Sequence, residues 1–494
     1  MKPISVVVAY HPAETFQGML ASLAENPLVG DIQVISGRRI DLHAPKCRSV
    51  VTQSSLSSGD TLNPILAGVY ARYLLLLPQP RAISFSVAGL EKLLDTAEAT
   101  KAGIVYSDFF EEDERGARVL HPLNSYQMGS VRDDFDFGPA ILFSIDTVRD
   151  SLSKYGDIPP VQSGGLYDLR LKIATDWPIR HVPEPLYTVL CRIGRPTNPH
   201  DLFSYVDPRN ALVQKEMEAV FTENLKRIGA FVPADRLKKV ESAPRSYPAE
   251  GSVIIPVRNR AGTVVEAVRS AFSQKTDFPF NVIVIDNHST DGTTKMLTDL
   301  AGVYGHRLEH IVPNRTDLAI GGCWNEGLHS PVCGRFAIQL DSDDLYNGSG
   351  TLQSIVDMLR EGCYAMVVGS YTLVNEKLEE IPPGLVNHAE WTDENGHNNA
   401  LRINGLGAPR AFDTTLMRGV DFLNVSYGED YAAALRICRE YRIGRIFESL
   451  YLCRRWTGNT DAALSIEAAN RNDAFKDSIR TEEIRARQEI NRTV

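Results

Sequence analysis

Three carboxylates stand close together in the second half of the chain, in the segment Asp341-Ser342-Asp343-Asp344. They directly follow the apolar residues 336–340, so we expect them at the end of a buried strand. Carboxylates this close together need a counter-charge, and Mg²⁺ or Mn²⁺ takes oxygen ligands from one or two carboxylates together with substrate phosphates. The segment predicts a metal site, although turns and helix starts use the same residue types.

A second acidic pair, Glu429-Asp430, precedes a helical pattern that includes Leu435 and Ile437. Acidic side chains at a helix start are favoured by the helix dipole, which is a purely structural explanation. The functional alternative is a general base that takes a proton from an attacking hydroxyl group. One carboxylate within hydrogen-bond reach of that hydroxyl would be enough.

Two further polar loops, at residues 256–260 and 286–292, follow apolar runs. The carboxylate of Asp286 could accept hydrogen bonds from a nucleobase or a ribose. The alternative for the end of that loop is structural, because Ser289 or Asp291 could cap the next helix or turn the chain.

Strands that alternate with helices must position these polar segments. Short runs rich in Val and Ile are separated by longer helical patterns such as residues 261–274. This alternation predicts an α/β fold with a mostly parallel, Rossmann-like sheet covered by helices. Ligands bind such sheets at the carboxyl ends of the strands, so the polar segments should meet at one edge.

This alternation of strands and helices occurs twice along the chain. Residues 252–257 (SVIIPV) are similar to residues 5–10 (SVVVAY), and four further blocks keep the same order and a similar offset. Residues 241–251 (ESAPRSYPAEG) are rich in Pro, Ser and Ala, as linkers tend to be. We expect two tandem domains, in residues 1–240 and 251–465, a linker in 241–250 and a helical tail in 466–494. The charged tail should pack on one domain or the other.

Composition excludes some classes of protein. The 494 residues, with 43% hydrophobic and 23% charged, suit two large globular domains. A formal net charge of −10 disfavours nucleic acid as a partner, since that binding depends on clustered Lys and Arg. Neither a secretory signal nor an apolar run of roughly 20 residues is present, so no integral membrane segment is expected. We expect a cytoplasmic protein, with peripheral attachment to the inner face of the membrane as an alternative.

Residues 252–456 resemble glycosyltransferase family 2, whose members have the GT-A fold. Four ordered motifs carry the resemblance: the opening strand and its proline (253–256), the acidic loop (286–291), the D-x-D segment (341–343) and the Glu-Asp pair (429–430). The resemblance implies two GT-A-like domains, of which the second binds a nucleotide-sugar donor.

Residue by residue, the resemblance makes Asp341 and Asp343 the ligands of Mn²⁺ or Mg²⁺, Asp430 the catalytic base and Glu429 its support. The residues implied in donor binding are Pro256, Arg258, Asn259, Asp286, Asn287, Arg315, Asp341, Ser342 and Arg455. A UDP-sugar is favoured, and a GDP-sugar is the alternative donor. The implied reaction inverts the anomeric configuration and serves glycan biosynthesis, with bacterial surface glycans as the broad expectation.

The composition of residues 387–409 suits a loop that binds a saccharide acceptor. A Trp could stack on a sugar ring while amides and imidazoles meet hydroxyl groups, although a lone Trp is as often a packing residue. The acceptor residues predicted here and in the neighbouring motif are His388, Trp391, Asn404 and Trp456. Residues 454–456 resemble the Q-x-x-R-W motif of polymerising family members, but Leu452 replaces the Gln, so non-processive transfer is expected.

The first copy lacks the corresponding acidic residues. The repeats place Ser36, Pro78-Gln79-Pro80 and Gly165-Leu166 where the second copy has Asp286, the metal segment and the Glu-Asp pair. Pro and Gln cannot replace a ligating carboxylate, so we expect a non-catalytic domain. It could position the acceptor, support the other domain or form a homodimer contact. The acids of residues 106–116 are interpreted as the solvated surface of a hairpin.

Two other functions remain as alternatives at this stage. A sugar-nucleotide nucleotidyltransferase would also use an acidic metal site, but a Gly-rich, Lys-containing phosphate loop is missing near the first strand. A catalytically silent carbohydrate- or nucleotide-binding scaffold would not need the carboxylates that the second copy retains.

Overall fold

The computed structural model describes residues 2–13, 15–113, 115–190, 210–241, 246–456, 459 and 464–493. The chain forms two compact units. Of the described residues, those within 1–198, 212–230 and 464–488 belong to the first unit, and those within 199–211, 231–463 and 489–494 belong to the second.

The first unit is built on a mixed sheet. Its strands are β1 (Ile4–Ala9), β2 (Val29–Ser36), β3 (Cys47–Val51), β4 (Tyr73–Leu77), β5 (Ala82–Phe85), β6 (Ile104–Glu112), β7 (Arg118–His121), β8 (Ile141–Ser144) and β9 (Ile179–Leu190). The strand order is β3-β2-β1-β4-β8-β6-β9-β5, and β7 pairs with β6. The central strands β1, β2 and β4 run parallel to one another, and β1 and β4 are almost continuously apolar, as strands covered on both faces are.

The described helices of the first unit pack on this sheet. They are α1 (Thr15–Glu25), α2 (Gly59–Ala67), α3 (Val87–Thr100), α4 (Ile145–Tyr155), α5 (Gly165–Asp176) and α6 (Ala211–Arg227). The apolar sides of α1 to α4 join the sheet in one buried core that contains Phe16, Leu62, Leu90 and Val148.

The second unit repeats the architecture. Its strands are β10 (Gly251–Val257), β11 (Phe280–Asp286), β12 (Leu308–Ile311), β13 (Phe336–Gln339), β14 (Leu345–Tyr346), β15 (Met366–Val374), β16 (Glu380–Val386), β17 (Arg410–Asp413) and β18 (Ile443–Arg454). The order is β12-β11-β10-β13-β17-β15-β18-β14, with β16 on β15. Its described helices are α7 (Val264–Phe272), α8 (Thr293–Tyr304), α9 (Ile320–His329), α10 (Thr351–Gly362), α11 (Gly396–Asn399), α12 (Thr414–Val420) and α13 (Glu429–Cys438).

Each strand of the second sheet has a counterpart at the same place in the first. β13 is parallel to β10 and antiparallel to β17, just as β4 is parallel to β1 and antiparallel to β8. The long strands β18 and β9 each run parallel to their neighbours β15 and β6. The predicted α/β class and the predicted tandem repeat are therefore confirmed.

The C-terminal helix α14 (Ile466–Thr493) packs on the first unit over most of its length. The backbone N–H of Gly129 donates to Thr481 Oγ1 at 2.8 Å, and Ser130 Oγ donates to Asp477 Oδ2 at 2.8 Å. A Cβ atom at Gly129 would lie 1.9 Å from the carbonyl oxygen of Asp477, so only glycine allows this close approach. Neither α14 nor another described helix is both long and apolar enough to cross a membrane.

The acidic hairpin of the first unit is only partly on the surface. β6 and β7 pair antiparallel around residues 113–117, as expected. Asp108 is buried, however, and its Oδ1 accepts from the N–H of Leu123 at 2.8 Å and lies 2.7 Å from His181 Nε2. The prediction of solvated acids is wrong for Asp108, because this carboxylate ties β6 to the chain that follows the hairpin.

Candidate active site

The predicted donor loops of the second unit start at adjacent strand ends. Val257 and Asp286 end β10 and β11 and are register partners, and the N–H of Asn287 donates to Val257 O at 2.8 Å. Asn287 Nδ2 also donates to Leu318 O at 2.8 Å. Pro256 is buried in β10, whereas Arg258 and Asn259 are exposed after it. The sheet thus brings both loops to one edge, as the sequence predicts.

The Asp286 carboxylate is fully buried and organises its own loop. Oδ1 accepts from the N–H of Ser289 at 3.0 Å, and Oδ2 accepts from Thr294 Oγ1 at 2.5 Å. His310 Nε2 lies 3.5 Å from Oδ2. Burial alone would raise the pKa of Asp286, but these hydrogen bonds outweigh it and hold the pKa below its usual value. The carboxylate is therefore ionised, and its role in donor binding stays a prediction.

Asn259 fastens the two loops to each other. Its N–H donates to Ser289 Oγ at 2.9 Å, and its Oδ1 accepts from the N–H of Thr290 at 2.8 Å. Asn259 has a φ of 54°, a left-handed conformation that Asn adopts more readily than most residues. Asp291 accepts from the N–H of Thr293 at 3.0 Å at the start of α8, which is the capping role considered as the alternative.

The predicted metal segment follows β13 and is surrounded by polar groups. Gln339 Nε2 donates to both oxygens of Asp341, at 3.1 and 3.0 Å. Trp456 Nε1 donates to Asp343 Oδ2 at 3.0 Å, and Arg260 Nε lies 3.7 Å from the same oxygen. Trp456, predicted as an acceptor contact, is therefore placed beside the predicted metal ligand.

The third carboxylate of the segment is turned inward. Asp344 is buried, and its Oδ1 accepts from the N–H of Arg454 at 2.7 Å. Ser342 is also buried, and its carbonyl oxygen accepts from Thr263 Oγ1 at 3.0 Å. Burial, reinforced by the charges of Asp341 and Asp343, raises the pKa of Asp344 well above its usual value.

Arg410 joins the metal segment to the Glu-Asp pair. Its Nη1 donates to Gln339 Oε1 at 3.0 Å, while its Nη2 lies 2.5 Å from Asp430 Oδ2. Gln339 in turn holds Asp341, so a chain of polar contacts runs from Asp341 to Asp430. The Asp430 side chain remains 30% exposed, which leaves it accessible to a ligand.

Glu429 stands beside this chain of contacts in a different environment. It is buried at the start of α13, and its Oε2 has no hydrogen-bond partner within the described part of the chain. Burial and the charge of Asp430 raise the pKa of Glu429 to about 8, against the opposing effect of Arg410.

The carboxylates of the metal segment suit a hard divalent cation. Burial and the nearby charge of Asp343 raise the pKa of Asp341, which shows that the negative charge here is not fully compensated. Within the described ranges, no group of three His, Cys, Asp or Glu side chains is arranged to hold an ion unaided. Mg²⁺ and Mn²⁺ bind through one or two carboxylates together with substrate phosphates, and the role of Asp341 and Asp343 as metal ligands stays a prediction.

The other predicted site residues have contacts of their own. The carbonyl oxygen of Arg315 lies 2.9 Å from His288 Nε2, in the second donor loop. The Arg315 guanidinium donates to both oxygens of Asp317, at 3.0 and 2.7 Å, and both side chains are largely exposed. The N–H of Arg455 donates to Val374 O at 2.8 Å. Two other predicted residues, His388 and Trp391, are buried.

The predicted acceptor residues lie in a packed segment. His388 Nδ1 lies 2.8 Å from Glu390 Oε1, and Arg445 stacks over the Trp391 ring at 5.5 Å. Asn404 is half-buried. Packing accounts for the positions of His388 and Trp391, and the acceptor role of all three residues stays a prediction.

Sequence reasoning missed Gln339, Arg410 and Tyr451. Tyr451 Oη accepts from the N–H of Asp341 at 2.8 Å and thereby fixes the start of the metal segment. Gln339 could have been found, because a polar residue inside a buried strand two positions before Asp341 needs a partner. Arg410 gives no such signal, since its partners lie far away in the sequence.

The first unit has no room for a side chain at the position of Glu429. Gly165 begins α5 at the place where Glu429 begins α13. A Cβ atom at Gly165 would lie 2.7 Å from the carbonyl oxygen of Ser57 and 2.9 Å from the nitrogen of Gly59. A side chain at Gly165 would require the backbone of residues 57–59 to move. The packing of the first unit is therefore incompatible with a counterpart of Glu429.

Known proteins are similar to parts of this chain. A protein from Rickettsia felis named "Uncharacterized glycosyltransferase" is 25% identical over 201 residues, which are 40% of this chain and 32% of that protein. The chain thus spans about a third of the length of this relative.

Solved structures also match, at low overall similarity. S. aureus TarS 1–349 in complex with UDP-GlcNAc is 22% identical, covers 48% of this chain and 71% of its own, and gives a TM-score of 0.37. The mannosyltransferase PcManGT from Pyrobaculum calidifontis, in complex with GDP-Man and Mn²⁺, is 17% identical. The match covers 58% of this chain and 85% of that chain, with a TM-score of 0.33.

The family of the second unit follows from the sequence match rather than from these structures. Residues 252–421 match the family described as "Glycosyl transferase family 2". The matched range contains both donor loops and the metal segment but ends before Glu429-Asp430. The C-terminal half of the chain therefore carries a glycosyltransferase family 2 domain.

Proposed function

We propose that this domain transfers a sugar from a nucleotide-diphosphate sugar to a hydroxyl group of a saccharide acceptor, with inversion at the anomeric carbon. The supporting observation is the chain of contacts from Asp341 through Gln339 and Arg410 to Asp430. It brings a cation-binding carboxylate and an accessible base to one edge of the sheet, where α/β proteins bind ligands.

The donor would lie across the loops at residues 256–260 and 286–292. Asp341 and Asp343 would hold Mn²⁺ or Mg²⁺, and a bound cation stabilises the charge that develops on a leaving diphosphate. The exposed Arg258 and Asn259 are placed for contacts with the donor, and ionised Asp286 is an acceptor for a base or ribose. A UDP-sugar is the favoured donor, and a GDP-sugar is the alternative.

Asp430 is the proposed general base. Its Oδ2 is held by Arg410, which fixes the carboxylate without covering it completely. Asp430 takes the proton of the acceptor hydroxyl while the oxygen attacks the anomeric carbon and the bond from that carbon to the diphosphate breaks. The proton stays on Asp430, the electron pair leaves with the nucleoside diphosphate, and one displacement inverts the configuration. Holding both substrates in line supplies the entropic advantage of proximity.

The contact between Trp456 and Asp343 places an aromatic ring beside the proposed reaction centre. Trp456 is therefore better situated for an acceptor than His388 or Trp391, which are buried. We retain glycan biosynthesis as the setting, with transfer of single sugars rather than polymerisation, because Leu452 interrupts the motif of polymerising family members.

A donor screen tests this function. The purified full chain is incubated with Mn²⁺ and each common UDP- or GDP-sugar, and slow hydrolysis to free nucleoside diphosphate is recorded. We expect one donor to be hydrolysed by the wild type and by Asp299→Ala, an exposed substitution on α8, but not by Asp343→Ala. Hydrolysis of no donor, or equal hydrolysis by Asp343→Ala, would contradict the proposal.

A further inference from the structure

The first unit keeps a cavity where the second unit has its proposed active site. The cavity has a volume of about 250 Å³ and is lined by Pro78 and Gln79 after β4 and by Leu166 and Tyr167 at the start of α5. Pro78 and Gln79 correspond to Asp341 and Ser342 of the metal segment in the other copy, and Leu166 corresponds to Asp430. Duplication has therefore left a pocket whose walls have changed while its place in the fold has not.

Aromatic rings form much of the changed wall. Phe135, Phe137 and Tyr167 line the cavity, and the centroids of the Phe135 and Phe137 rings are 4.8 Å apart. Small-molecule sites are commonly lined in this way, with a few polar groups that set the orientation of the ligand. The faces of a sugar ring carry C–H groups and are apolar, whereas its edges carry hydroxyl groups. The faces can therefore pack on aromatic rings.

Arg170 provides a buried donor at this wall. It lines the cavity, is 5% exposed, and its guanidinium lies over the rings of Tyr167 at 4.8 Å and Phe137 at 5.4 Å. Nη2 donates to Arg132 O at 2.7 Å, whereas Nε has no hydrogen-bond partner among the residues described. A buried N–H without an acceptor costs free energy, which a ligand oxygen would recover.

Two carboxylates complete the polar lining. Asp133 and Asp136 both face the cavity, and the Asp136 side chain is 56% exposed while its Oδ1 accepts from the N–H of Gly138 at 2.7 Å. Ionised carboxylates accept hydrogen bonds and cannot donate them, so they suit hydroxyl groups. Together with Arg170 the lining offers both acceptors and a donor, as a polyhydroxy ligand requires.

Charge and size narrow the class of ligand. The lining carries two carboxylates and one guanidinium, with His121 Nε2 3.5 Å from Asp136 Oδ2, so it offers no cluster of cations for the phosphates of a nucleoside diphosphate. The volume also lies below the roughly 300 to 1,000 Å³ of pockets for drug-sized ligands. We propose that this cavity binds one neutral sugar residue of a glycan, packed on Phe135 and Phe137 and hydrogen-bonded by Arg170 and Asp136.

Binding at this cavity is separable from turnover in the second unit, because the two sites share no residue. The full chain is titrated with a panel of neutral glucose, galactose and N-acetylglucosamine oligosaccharides, and with UDP for comparison. Calorimetry measures the affinity, and hydrogen–deuterium exchange locates protection. We expect at least one oligosaccharide to protect residues 133–138 and 165–170, and UDP to leave them unchanged.

Four variants distinguish the cavity from other sites. Gln79→Trp fills the cavity and Asp136→Asn removes a charged acceptor, so each should weaken saccharide binding about tenfold or more. Asp95→Asn on the exposed side of α3 and Asp299→Ala on the exposed side of α8 should leave the affinity unchanged. Thermal melting verifies that each variant is folded.

Three results would overturn the proposal: no oligosaccharide protects these segments, UDP protects them, or Gln79→Trp and Asp136→Asn both keep the wild-type affinity. A failed donor screen with intact binding here would instead reject only the proposed transfer reaction.

Discussion

Asp430 is the residue on which the proposed chemistry depends. Replacement by Asn keeps the size of the side chain and removes the basic carboxylate, while Arg410 and Gln339 can still hold the metal segment. General bases typically contribute about 10²- to 10⁴-fold, so Asp430→Asn should lower the rate of sugar transfer by that factor. Single-turnover measurements of transfer or donor hydrolysis check this, and a variant with the wild-type rate would remove Asp430 from the mechanism.

Glu429 should make stability depend on pH. Its folded-state pKa of about 8 lies above the 4.5 of the free side chain, so the folded protein holds this proton more tightly than the unfolded chain. The stabilisation by protonated Glu429 is complete below pH 4.5 and is lost as the pH rises through about 8. Gln at this position has no proton to lose. The free energy of unfolding of Glu429→Gln should therefore rise relative to that of the wild type between pH 4.5 and about 8.

Urea denaturation at pH 5 and pH 9 without divalent ions measures this difference. Asp299→Asn, a substitution of an exposed acid on α8, serves as the control that should follow the wild type. If the free energy of unfolding of Glu429→Gln minus that of the wild type is the same at both pH values, or is smaller at pH 9, Glu429 is not protonated in the folded protein.

At the scale of elements, helix α9 sets the position of the base. Gly321 in this helix packs against the segment that leads to α13: its N–H donates to Val425 O at 3.2 Å, and a Cβ atom would lie 1.8 Å from Leu423 O. Gly321→Ala must therefore displace this segment and with it the start of α13. We expect a loss of about 1 to 3 kcal/mol in stability and a lower rate of transfer.

The matched control is Gly302→Ala in α8, where a Cβ atom meets nothing within 4 Å. This substitution should stabilise the protein by about 0.5 to 1 kcal/mol, because Ala is the better helix former. Chemical denaturation compares the two variants, and equal effects would show that the close approach of Gly321 is unimportant.

The strands of each copy could be predicted from the sequence because apolar runs such as 252–257 and 336–340 are local signals. The link from Gln339 through Arg410 to Asp430 could not, since β13 and β17 become neighbours only when the sheet forms. The segment containing His388 and Trp391 has a composition that suits a binding loop and a packed loop equally, and only the fold shows that these two side chains are buried.

At the scale of the whole molecule, α14 carries buried charges that its sequence does not distinguish from a solvated surface. Asp477 is 1% exposed, accepts from Ser130 Oγ and Arg480 Nη1, and lies 3.7 Å from Arg132 Nε. Asp477→Ala removes a buried carboxylate that Arg480 and Arg132 share, while Arg132 keeps its ion pairs with Asp134 and Asp473, so we expect a loss of about 1 to 3 kcal/mol. Glu482→Ala, on the exposed side of the same helix, should change stability little.

Thermal unfolding of the two variants, with hydrogen exchange of residues 126–135, measures this effect. We expect Asp477→Ala to lose protection in residues 126–135 and Glu482→Ala to keep it. Equal stability of both variants would mean that α14 is dispensable to the first unit.

The most direct test of the whole account separates donor binding from base catalysis. Calorimetry measures the affinity of the nucleoside diphosphate selected by the donor screen, with and without Mn²⁺, for wild type, Asp343→Ala and Asp430→Asn. We predict Mn²⁺-dependent binding by wild type and Asp430→Asn and its loss in Asp343→Ala, because Asp343 is a proposed metal ligand and Asp430 is not. Binding that is independent of Mn²⁺, or that is lost equally in Asp430→Asn, would contradict the assignment of these two carboxylates.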